Sequence, residues 1–148
     1  MNRLFRLGPV LRARKAQEDA ARGAVNQSRA EIRDAQALVK RRQLDLVGSQ
    51  APSEGSARAM VASLVARQSL AGALMGAQRM VEDAEEVERE RKAVLADAAK
   101  RRRAVEMMAE RHAEMVRAHD LRKDQAVLDE LAMTSKARNA ARGAGSPA

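Results

Sequence analysis

Aliphatic side chains recur every seventh residue along the first third of the chain: Leu4, Leu11, Val25, Ile32, Val39 and Leu46, with Glu18 the one interruption. A companion stripe three residues on holds Leu7, Arg14, Ala21, Ser28, Ala35 and Arg42, which are apolar, small or long and flexible. A sustained seven-residue repeat keeps one seam of a helix turned toward a partner helix over many turns. It predicts a coiled coil, and a chain that works by contact.

Composition narrows the choice further. Phe5 is the only aromatic in 148 residues, so the burial that aromatics bring to globular cores is missing. Charged residues make up 32% and hydrophobic ones 45%, regularly spaced, which fits long helices better than charge-driven disorder. Without cysteine there is neither a disulfide framework nor a thiolate metal site. The opening residues, Met1 to Arg6, lack the apolar core of a signal peptide. The longest uncharged run, Gln68 to Gln78, is far short of the ~20 residues of a membrane span. These features predict a soluble cytoplasmic protein without membrane insertion.

Breakers divide the chain. Pro9 suits a first helical turn, and no proline follows until the cluster Gly48-Ser49-Gln50-Ala51-Pro52-Ser53-Glu54-Gly55-Ser56, which reads as a turn. The helical pattern resumes near Ala57 and runs to about Arg138. The expected organisation is all-α: an antiparallel two-helix coiled-coil hairpin with helix 4–47, turn 48–56 and a longer helix 57–138, all within one domain 1–138, then a disordered tail 139–148. Gly72 and Gly76 offer a rival turn at 72–76. In the second helix, Met60, Leu64, Ala71, Leu74 and Val81 recur at spacings of three, four or their sum, seven. Further on, two seven-residue stripes stand side by side: Val87, Val94, Arg101, Met108, Met115, Arg122, and Ala84, Arg91, Ala98, Val105, His112, His119.

At ~1.5 Å per residue the arms would span about 65 and 120 Å, so part of the second helix has no intramolecular partner. The overhang is expected on the C-terminal stretch, where Arg101, His112, His119 and Arg122 punctuate the pattern. Residues 1–47 carry 11 basic and 5 acidic side chains, residues 82–130 carry 11 and 14, so the arms attract.

Single features carry little chemistry. His112 and His119 sit seven apart, whereas helical metal pairs sit four apart, and no third ligand is evident; no metal or other cofactor is expected. Lys40-Arg41-Arg42 and Lys100-Arg101-Arg102-Arg103 are basic runs without stacking aromatics, which makes nucleic acid a poor partner. Methionine is spread through the pattern, and of Met107 and Met108 only one can occupy a seam centre, since neighbours lie ~100° apart. Neither a glycine-rich phosphate loop nor a Ser–His–acid arrangement is present, so no enzyme is expected.

Certain stretches carry a resemblance. Val105-Glu106-Met107-Met108-Ala109-Glu110-Arg111, Glu114, Arg122-Lys123-Asp124-Gln125 and Leu128-Asp129-Glu130-Leu131-Ala132 resemble the C-terminal helix of the flagellar FliJ family. Phe5-Arg6-Leu7, Val10-Leu11, Arg14 and Glu18-Asp19-Ala20-Ala21 are similar to its opening segment. The resemblance implies an antiparallel coiled coil like the stalk of rotary ATP synthases, monomeric alone, at the inner face of the cell membrane at the flagellar base. Its implied partners are the flagellar export ATPase, the cytoplasmic domain of the export gate and export chaperones. Arg6, Arg14, Arg111, Arg122, Gln125, Asp129 and Glu130 would face the ATPase ring, and Leu64, Leu70 and Leu74 would meet the gate or chaperones. The family's aromatics near the loop are missing here. Apart from the resemblance, the residues also fit a basic coiled-coil adaptor for RNA or ribosomes, or a homo-oligomeric structural coiled coil.

Overall fold

A computed structural model describes residues 3–50 and 54–145. It contains two helices, α1 (Gly8–Gly48) and α2 (Ala57–Ala144), packed against each other, with the second the longer. Among the described residues there are no strands, so the all-α hairpin class holds.

The helix ends follow local chemistry. α1 starts at Gly8 rather than at residue 4, because Pro9 has no N–H to give Phe5 and its ring would crowd that carbonyl. The Gly8 N–H bonds the Phe5 carbonyl instead, at 3.1 Å. At the other terminus α1 runs one residue beyond the expected 47. Of the expected turn, residues 51–53 lie outside the described residues. Ser56 caps α2, its Oγ accepting from the Ala59 N–H at 3.3 Å. Where a tail from 139 was expected, α2 continues to Ala144, since Ala140, Ala141 and Arg142 are good helix formers. Residues 146–148 of that tail lie outside the described residues.

No turn occurs at 72–76, where α2 is unbroken. A Cβ added at Gly72 or Gly76 meets nothing within 4 Å, and neither glycine has positive φ. Gly72→Ala with Gly76→Ala should therefore raise stability by about 1–2 kcal/mol in urea denaturation, through helix propensity and a less flexible unfolded chain.

Packing divides the chain into two compact units, one of residues up to Arg12 with those from Arg103 onward, the other Ala13–Arg102. In the Ala13–Arg102 unit the α1 seam is the predicted one: Arg14, Glu18, Ala21, Val25, Ser28, Ile32, Ala35, Val39, Arg42 and Leu46 are all buried or half-buried. The α2 seam alternates steps of four and three through Leu70, Leu74, Ala77, Val81, Ala84, Glu88, Arg91, Leu95, Ala98 and Arg102. One expected stripe, Ala84–Arg91–Ala98, is in it. The other is not: Val94 is 62% exposed, and Leu95 beside it faces α1.

Polar pairs explain that choice. Arg102 meets buried Glu18, which also takes Arg22 at 3.2 Å. Arg91 donates to the Oγ of fully buried Ser28 at 2.7 Å and to the Ala24 carbonyl at 3.2 Å, with Glu31 at 3.5 Å. Rotating α2 to bury Val94 and Arg101 would take Arg102 from Glu18 and Arg91 from Ser28, at a cost of about 1–3 kcal/mol for a buried polar group left unpaired. Falling partner numbers on α1 against rising ones on α2 make the pairing antiparallel. Beside the seam, the Lys92 ammonium at 3.0 Å, and then Arg29 at 3.4 Å, hold the Glu88 carboxyl below its ordinary range. That contribution is present at neutral pH and fades as acid carries the solution down through the lowered value.

This register leaves the first turns of α2 uncovered. Residues 57–69 are exposed apart from half-buried Ser63. The excess length of α2 therefore does not fall at its C-terminal stretch alone.

Candidate functional site on the uncovered C-terminal helix

In the unit built from the chain's two extremities, Phe5 and Leu11 face α2, while Leu4 is 78% exposed and Leu7 38%. The seven-residue stripe thus does not extend upstream of Pro9. The Phe5 ring packs on His112, centroids 5.6 Å apart and tilted by 48°. Arg3 pairs with Asp120 at 3.1 Å, and the His119 Nδ1 lies 3.7 Å from the same carboxylate. Two histidines that invite a metal reading are thus engaged with a ring and beside a carboxylate. No group of three metal-ligating side chains occurs among the described residues. Val105 is buried, Ala109 and Val116 are half-buried, and Met107 and Met108 are both exposed, so neither methionine takes the seam centre.

Beyond Asp120 the covering stops. Every residue from Leu121 to Gly145 is exposed, although α2 stays helical to Ala144. At 100° per residue Arg111, Arg122, Gln125 and Asp129 fall within a ~60° arc, whereas Glu130 stands about 100° away. Within that arc the Gln125 Nε2 donates to the Asp129 Oδ1 at 3.1 Å. The Thr134 hydroxyl bonds back to the Glu130 carbonyl at 2.9 Å. Arg6 is exposed in this unit. Arg14 belongs to the other unit, where it is half-buried on the α1 seam and donates to Gln17 at 3.1 Å.

Sequence reasoning on charges missed a second component. Leu121, Leu128 and Leu131, 69%, 60% and 62% exposed, form an aliphatic ridge beside the polar arc. The seven-residue step from Leu121 to Leu128 was the available signal. A helix with such a ridge flanked by charges can enter an apolar groove on another protein, using the ridge for burial and the charges for orientation.

Of the three leucines expected to meet gate or chaperones, Leu64 is 59% exposed, and Leu70 and Leu74 are half-buried on the α2 seam with Ala77. Intramolecular packing thus removes part of the surface of the latter two.

A family described as flagellar FliJ protein matches residues 2–141 of the 148. The chain belongs to the flagellar FliJ family. It is a helical protein related to flagellar export. No curated protein and no solved structure gives a significant match. The match takes in the polar arc and leucine ridge of α2 as well as Phe5 and its partner His112.

Proposed function

We propose that this FliJ-family chain is a non-enzymatic part of the flagellar type III export apparatus, binding the export ATPase ring as a central stalk. It acts in the cytoplasm at the inner face of the membrane, and it escorts export chaperones to the cytoplasmic domain of the gate. The supporting observation is the uncovered helix from Leu121 to Ala144. Single helices in water are held by little besides propensity, so six turns without tertiary cover gain order from a partner. Arg122, Gln125 and Asp129 would meet the ring through charge and hydrogen bonds, Arg111 and Arg6 alongside them. Leu121, Leu128 and Leu131 would supply the buried area. Glu130 stands outside that arc and would act only at its margin, while Arg14 is engaged on the α1 seam. Leu64 is the leucine best placed to touch gate or chaperone.

The test uses the cognate export ATPase with and without stoichiometric full-length chain. Added protein should raise ATPase oligomerisation and turnover. Arg122→Glu or Asp129→Lys should weaken ring binding by about tenfold or more, the loss of one oriented charge contact of ~1.4 kcal/mol. Both side chains are exposed, so circular dichroism should stay unchanged. An ATPase indifferent to the well-folded chain would remove the proposal. Normal binding by both variants would remove the residue assignment.

A further inference from the structure

The opening turns of α2 present a surface of which the export reading uses only Leu64. Between Arg58 and Arg79 the sequence holds one charged residue, Arg67. α2 contains an 18-residue stretch of mean hydropathy 1.2, none of it buried. Met60, Val61, Leu64 and Val65 are 55–61% exposed and Met75 is 58% exposed. Through residues 57–69, aliphatic and small residues surround the helix on all sides. A helix apolar all round is normally buried, in a core or in lipid. This one is covered by neither α1 nor any other described residue.

Charge indicates what covers it. From Gly55 to Val81 there are three arginines and no acidic residue. Among the described residues Arg58, Arg67 and Arg79 have no ion-pair partner. A second copy docked here would set arginine against arginine. An anionic bilayer surface answers both properties at once, with headgroups for the guanidiniums and acyl chains for the aliphatics. Spanning the bilayer is excluded by Arg67 in mid-stretch and by Glu82, Asp83, Glu85 and Glu86 directly after it.

We propose that the first turns of α2, around Met60, Val61, Leu64 and Val65 with Arg58, Arg67 and Arg79, lie in the interface of an anionic membrane. This anchors the chain peripherally and does not depend on ATPase binding. Arginine stems reach the headgroups while their methylenes rest on the apolar face.

Flotation of the full-length chain with vesicles of phosphatidylcholine, with and without ~30% phosphatidylglycerol, tests this. Binding should require the anionic lipid and fall by roughly fivefold for each of Arg58→Glu and Arg67→Glu. Net charge of +8 alone would draw the chain to such vesicles, so a neutral change isolates the apolar part. Leu64→Ser with Val65→Ser should lower binding about tenfold or more with helicity kept. Because the chain has no cysteine, Val61→Cys accepts a single environment-sensitive dye. Its emission should shift to the blue on anionic vesicles, while a dye at Ser135→Cys should not shift. Unchanged binding by the serine pair, or no shift at position 61, would overturn the proposal. So would a concentration-dependent dimer abolished by the same serine pair, which would identify the occupant as a second copy.

Discussion

Glu18→Arg is expected to destabilise the helix pairing by about 3 kcal/mol in urea denaturation, more than any surface charge reversal. Glu18 is 7% exposed and is gripped by Arg22 and Arg102. Reversal puts three guanidiniums together at a seam position and removes the acceptor that Arg102 relies on. The reciprocal exchange, Glu18→Arg with Arg102→Glu, should recover most of the loss. The double-mutant cycle then measures a coupling of about 1–3 kcal/mol, above what an exposed i,i+4 pair supplies. A swap no better than the sum of its single changes would show that the pair does not set the register.

Val25→Asp should cost about 3 kcal/mol, whereas Val94→Asp should change stability by less than about 0.5 kcal/mol. Val25 is 3% exposed on the α1 seam, so the substitution loses an aliphatic contact and desolvates a carboxylate with no partner. Val94 is 62% exposed and its replacement enters water. Thermal melts of the two variants side by side measure which α2 stripe faces α1. Equal losses would mean that Val94 is in the seam after all.

Much of this was legible from residue spacing. On α1 the repeat from Leu11 to Leu46 named the inward stripes correctly, because periodicity reports a face directly. The ends of both helices fell at Pro9 and at the cluster 48–56 to within a few residues, except at the C-terminus. Less legible was the seam of α2, where the stripe that includes Val94, Met108 and Met115 is the more apolar of two neighbours yet stays outside. The deciding partners, Glu18 with Arg102 and Ser28 with Arg91, are distant in sequence, and no periodicity within one helix encodes them. A check by charge would have found them. Setting Ala57 opposite Val47 places Glu18 against Glu86, while the observed register gives it Arg102. That same register frees residues 57–69, of which the resemblance had marked only Leu64 as a contact surface. For the candidate site, the resemblance pointed to residues that include the uncovered stretch of α2, while the ridge of Leu121, Leu128 and Leu131 shows only once their exposure is known. Arg14 was placed with that set although the seven-residue stripe already assigned it to α1's inward face.

Small side chains recur among the inner positions of the Ala13–Arg102 unit, at Ala21, Ser28, Ala35, Ala77, Ala84 and Ala98. Slim side chains shed little water when they meet, so each turn of contact is only weakly cohesive. Hydrogen exchange is therefore expected to be fastest in the bare stretches and slowest around Glu18 and Ser28. Such a molecule can reshape its extremities to suit a docking companion while its middle, clasped by Glu18 and Ser28, keeps its alignment.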